Sequence, residues 1–126
     1  MPKSKSEIGS AGEDYTARLI EKRGMTILAL NFHSRYGEID IIAHDDEYIC
    51  FIEVKTRKRS SMVSGEESVT TTKQRKIIKT ALCWLDSNEC DLQPRFDVCV
   101  VHTDSSGHIY SHDYYDGAFD ATDFEL

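Results

Sequence analysis

Apolar positions Ile8, Ala11, Tyr15 and Leu19 recur at helical spacing and predict a first helix over residues 7–23, with Ser6 as its cap and Gly24 at its end. The period then shortens. Residues 25–31 read as a strand, Ser34-Arg35-Tyr36-Gly37 as a turn, and the β-prone runs 38–44 and 48–56, joined by Asp45-Asp46-Glu47, as a hairpin. Residues 57–71 lack apolar periodicity and predict a long loop. A second helix follows over residues 72–87, with Ile77, Ile78, Ala81, Leu82 and Leu85 as its buried stripe and a basic first half. After Pro94, residues 95–101 set Phe96, Val98 and Val100 against Asp97, Cys99 and Val101; both sets are largely apolar, which predicts a central strand covered on both faces. Asp104-Ser105-Ser106-Gly107 turns the chain into a last short strand over residues 108–112. The order α-β-β-β-α-β-β predicts an α/β fold, a mixed sheet flanked by helices.

The hydrophobic pattern breaks at one place. Asp40 interrupts the second strand and Glu53-Val54-Lys55 ends an otherwise apolar third strand, although burying charge costs several kcal/mol, roughly, unless it is paired or holds a metal. Alternation puts Glu53 and Lys55 on one face. A two-residue loop at Asp46-Glu47 closes Asp45 against Tyr48, and that register sets Asp40 opposite Glu53 and Glu38 opposite Lys55. Two carboxylates so placed repel unless a cation neutralises them, and oxygen ligands of this kind suit Mg²⁺ or Mn²⁺. A lysine beside such a cation offsets developing negative charge or orients a water, as phosphodiester hydrolysis requires. Glu13, at the margin of the first helix's buried stripe, reaches toward the site as a further acid.

Composition adds the setting. The chain has 126 residues, 40% of them hydrophobic, enough for one core. We read residues 1–119 as a single domain and 120–126 as an acidic tail. The formal charge of -7 is uneven: residues 113–126 carry acids and no base, whereas residues 55–79 hold Lys55, Arg57, Lys58, Arg59, Lys73, Arg75, Lys76 and Lys79 against Glu66 and Glu67. That basic stretch makes nucleic acid the expected partner, with Arg57, Lys58, Lys73 and Gln74 as contacts. Cys50, Cys83, Cys90 and Cys99 show no metal-ligand spacing, and Cys50 and Cys99 read as core residues of a reduced, cytoplasmic protein. His108 and His112 would stand about 13 Å apart on a strand and read as surface histidines. No apolar run has the length of a signal peptide or membrane span, so no membrane association is expected.

Gly9-Ser10-Ala11-Gly12-Glu13 with Ala17, the run 24–31, Gly37-Glu38-Ile39-Asp40-Ile41-Ile42-Ala43 and Phe51-Ile52-Glu53-Val54-Lys55-Thr56-Arg57 together resemble the YraN-like family of uncharacterised bacterial proteins. The resemblance continues through Val69, Lys73, Ala81, Trp84-Leu85, Pro94-Arg95-Phe96-Asp97-Val98 and Gly117-Ala118-Phe119, so it spans nearly the whole chain. It implies a restriction-endonuclease-like core, of the PD-(D/E)xK type, similar to archaeal Holliday junction resolvases. By the resemblance the catalytic set is Glu13, Asp40, Glu53 and Lys55, with Glu13, Asp40 and Glu53 on the metal. It also implies DNA as the nucleic acid and a homodimer as the assembly. The Gly65-Glu66-Glu67-Ser68 run is more acidic than the family's small-residue run there. The expected function is a metal-dependent nuclease acting on structured or branched DNA. The alternatives are a non-catalytic nucleic-acid-binding or assembly module that keeps the fold, and a protein-interaction role carried by the acidic tail.

Overall fold

The first helix, α1 (Lys5–Lys22), lies close on the sheet because its inward face is built from small residues. A Cβ at Gly12 would stand 2.8 Å from Thr56 Oγ1 and 3.6 Å from a methyl of Val54, so only glycine allows this approach. Thr16 and Ile20 continue the buried line, and the Thr16 hydroxyl donates to the Gly12 carbonyl at 2.9 Å, which satisfies a polar group out of reach of water. The buried face is therefore turned one position from the expected stripe, leaving Tyr15 and Leu19 half-buried, because the helix settles on its smallest residue. It also begins at Lys5, which places Ser6 inside the helix rather than at its cap.

The computed structural model describes residues 5–58 and 69–123, with side chains over residues 10–58 and 69–122. Most of the expected loop, residues 59–68, and the end of the acidic tail, 124–126, lie outside the described residues. The five strands β1 (Thr26–Ser34), β2 (Gly37–His44), β3 (Tyr48–Lys58), β4 (Gln93–Thr103) and β5 (Ile109–Phe119) form one sheet in the order β1-β2-β3-β4-β5. The second helix, α2 (Thr71–Ser87), makes the crossover between β3 and β4, the one parallel pair; the other pairs are antiparallel. The element order and the mixed, helix-flanked sheet are those expected from the sequence. No helix among the described residues is long and apolar enough to cross a membrane.

Two apolar clusters fill the two sides of the sheet. Ile20 of α1 packs with Ile41, Ala43, Cys50 and Ile52, whereas Ile77, Ile78, Ala81 and Trp84 of α2 pack with Ile39, Ile42, Phe51, Phe96 and Val100. The stripe of α2 differs from expectation at Leu82, which is 49% exposed. Trp84 takes its place and meets the Phe51 ring edge-on at 6.2 Å, so the widest side chain sets the helix's rotation. β4 is covered on both faces as expected, with every residue from Phe96 to Val101 buried. β5 is longer than expected. It runs for 11 residues to Phe119, whose ring stacks on Phe96 at 5.2 Å, and it begins after His108. β1 also extends past residue 31, to Ser34.

Strand pairing is asymmetric at β3. Along β4 it pairs from Tyr48 to Lys58, but along β2 its ladder covers only Ile49 to Ile52. From Glu53 onward the β2 side of β3 carries no ladder, and a wedge opens between the two strands.

Candidate functional site

The hairpin register is the expected one. Asp45 N–H donates to the Tyr48 carbonyl at 3.1 Å across a two-residue loop, and Ile41 pairs with Ile52 in the same register. The ladder ends there, however, so neither Asp40 with Glu53 nor Glu38 with Lys55 forms the expected backbone pair. Asp40 Oδ2 instead accepts the Val54 N–H at 2.7 Å. The carboxylate takes the position of a strand carbonyl, and this substitution satisfies the backbone donor while the strands part.

Side-chain alternation distributes the other acids around Asp40. Phe51 packs on the α2 side, so Glu53 faces the same way, and its Oε1 is 3.5 Å from Lys55 Nζ and 3.6 Å from Lys73 Nζ in the first turn of α2. Glu13 approaches from α1 on the other side. Glu13, Glu38 and Asp40 bring carboxylate oxygens within 4.8 Å of one another. The structure thus joins Glu13 and Asp40 as expected, places Glu53 with Lys55 and Lys73, and adds Glu38. Glu38 was legible in principle, since it stands two residues from Asp40 on one strand; assigning it opposite Lys55 concealed it.

The electrostatics follow from crowding. Burial, then the charge of Asp40, pushes Glu53 up to about 7, against the pull of Lys73 and Lys55. Burial, then Asp40 by charge and hydrogen bond, likewise raises Glu13 to about 7. Folding therefore raises both carboxyls above their ordinary range, and the folded protein holds more protons than the unfolded chain between about pH 4.5 and 7. Stability from this source is fully present below pH 4.5 and is lost as pH rises through 7. Without divalent cations, the expected loss between pH 5 and pH 8 is on the order of 2 kcal/mol, carried mainly by the more buried Glu53. Thermal melts in chelator should fall by roughly 6–10 °C over that range. A melting temperature that rises with pH would contradict the crowding.

A donor set made only of carboxylate oxygens, with its charges this close, fits a hard divalent cation such as Mg²⁺ or Mn²⁺. His102 contacts Asp113 at 2.7 Å, His108 lies 3.6 Å from Asp104 and His112 meets the Tyr15 hydroxyl at 2.6 Å, all away from this donor set, whereas the exposed His33 places its Nδ1 3.4 Å from Glu38 Oε2. Cys50 and Cys99 are buried free thiols, and burial pushes Cys50 up to about 12.

The expected nucleic-acid contacts divide. Lys73 belongs to the acid–lysine group, and Thr70 caps its helix by accepting the Lys73 N–H at 3.2 Å. Arg57 is half-buried, and its Nε has no hydrogen-bond partner among the described residues. Lys58 is exposed at the strand end. Gln74 donates its amide to the Val69 carbonyl at 3.1 Å, which ties down the start of α2. Asp97 is structural: it accepts two bonds from Arg95 at 2.9 Å each, one from the Tyr114 hydroxyl at 2.6 Å and one from Gly117 N–H at 2.9 Å.

Residues 12–101 match the model of an uncharacterised protein family, UPF0102. A UPF0102 protein of Clostridium perfringens is 46% identical over 109 residues, covering 84% of this chain and 89% of that protein. One from Vibrio parahaemolyticus is 40% identical over 101 residues, with 79% and 84% coverage. A third, from Rhodococcus jostii, is 43% identical over 95 residues, with 75% and 80% coverage. The matched segment contains every acid and lysine of the wedge.

Proposed function

The chain belongs to the UPF0102 family, and from that premise and the wedge we propose that it is a metal-dependent endonuclease hydrolysing phosphodiester bonds in structured or branched DNA. One observation carries the reading. Asp40 stands where β2 and β3 part, bonded to Val54 N–H, with Glu13 and Glu38 on one side and the Glu53–Lys55 pair on the other. The resemblance to restriction-endonuclease-like proteins implies Glu13, Asp40, Glu53 and Lys55, and the geometry adds Glu38. Glu13, Glu38 and Asp40 would hold the cation, with Glu53 supplying an oxygen beyond Asp40.

A bound Mg²⁺ or Mn²⁺ would polarise the phosphoryl group and lower the pKa of an attacking water. The protein's own residues then do the following. Lys55, 29% exposed beside Glu53, offsets charge that develops on the phosphoryl oxygens. Lys73 meets phosphates on the α2 side, where the helix N-terminus adds partial positive charge. Lys55 and Lys73, with a bound cation, would offset the repulsion between the wedge acids and an anionic backbone.

The test is cleavage of branched, nicked and single-stranded DNA in Mg²⁺ or Mn²⁺ by wild type and Lys55→Ala. Wild type should cut, and the variant should lose at least 10²-fold in rate while taking up Mn²⁺ as wild type does. Salt-sensitive binding that persists in chelator, with no cutting by either protein, would establish the non-catalytic module instead.

A further inference from the structure

Among the described residues, Asn31 is the only non-glycine with positive φ, at 51°, and it stands inside a nine-residue strand. Asparagine is one of the few side chains that tolerate this conformation. Its place is specific: Leu30 pairs with Ile41 and Phe32 with Ile39, so Asn31 faces Asp40 across the ladder.

Both strands lose their alternation at this step. Ile39 packs on the α2 side and Ile41 on the α1 side, although residues two apart on a regular strand share a face. Ala29 and Phe32, three apart, pack against one cluster. The left-handed residue thus swings its side chain out of the regular pleat toward the acids. With the amide oriented to satisfy its surroundings, its nitrogen donates to Glu13 Oε2 at 3.3 Å and to Glu38 Oε1 at 3.0 Å.

We propose that Asn31 is a positioning residue for the cation site: its amide fixes the carboxylates of Glu13 and Glu38 beside Asp40, and its left-handed backbone is what aims that amide. The proposal rests on the reading of Glu13, Glu38 and Asp40 as cation ligands. Two demands meet in this residue. Glycine meets the backbone requirement but has no donor, and aspartate nearly matches the shape but adds a negative charge where two already lie. An amide offers one hydrogen to each carboxylate and carries no charge of its own.

Calorimetric Mn²⁺ titration of wild type and Asn31→Gly tests the side chain apart from the backbone. The variant should bind about tenfold more weakly, and unchanged affinity would overturn the proposal. Asn31→Asp provides a second measurement that does not depend on Asn31→Gly folding. Its added charge should make the Mn²⁺-induced rise in melting temperature several degrees larger than in wild type, because the cation relieves more repulsion; an equal rise overturns the proposal. Wild type that takes up no Mn²⁺ would overturn the cation site and this role with it. Wild type that binds while Asn31→Gly binds equally would overturn the Asn31 role alone.

Discussion

Asp40→Asn is expected to lower Mn²⁺ affinity by at least 10²-fold and any phosphodiester cleavage by at least 10³-fold, losses on the scale of removing a charged ligand or a group that stabilises a transition state. Of the four wedge acids, Asp40 is the one whose charge raises the carboxyls of both Glu13 and Glu53. Asparagine keeps a carbonyl oxygen to accept the Val54 N–H now bonded at 2.7 Å, so the parting of the strands survives the substitution. What disappears is the charge shared between the two sides. The same change removes the second-largest cause holding Glu13 and Glu53 up, so both carboxyls fall toward their ordinary range. The metal-free variant should therefore lose less stability between pH 5 and pH 8 than wild type, while responding less to Mn²⁺. Calorimetry, cleavage assays and chelator melts at two pH values measure all three effects. Wild-type Mn²⁺ affinity in Asp40→Asn would remove Asp40 from the site.

The site's location was legible because a two-residue loop transmits parity. Once Asp45 closes on Tyr48, the register of Ile41 with Ile52 follows, and Asp40 and Glu53 become neighbours. What followed the last ladder pair was not legible. A carboxylate standing in for a strand carbonyl leaves no periodic trace, and neither does a single left-handed residue at Asn31. Glu38 was misplaced for the same reason, since extending the ladder one step too far set it against Lys55. The misread helix faces have a different cause. Gly12 and Trp84 decide rotation through size, one by admitting a strand and the other by filling space, whereas periodicity weighs only polarity. The full length of β5 was not legible because an edge strand with Asp113, Asp116 and Gly117 lacks the apolar run that marks a covered one, although Phe119 anchors its end on Phe96.

Asp97→Ala should destabilise the fold by about 3–5 kcal/mol, the cost of breaking a buried charge pair by removing one partner. Asp97 is fully buried, and its bonds run to the half-buried Arg95 and Tyr114 side chains and to the backbone of the more exposed Gly117, tying β4 to β5. Removal leaves the Arg95 guanidinium, now stacked on Tyr48 at 4.8 Å, without its counter-charge, and leaves the Tyr114 hydroxyl and Gly117 N–H without acceptors. Against a typical total stability of about 5–15 kcal/mol, that loss brings the native state close to its limit. Urea denaturation would show the midpoint falling with little change in slope. Asp97 makes no contact with the wedge acids in the bonds described, so the fraction that remains folded at low temperature should bind Mn²⁺ with wild-type affinity. A parallel loss of Mn²⁺ affinity in that folded fraction would instead make β5 and its anchor part of the site.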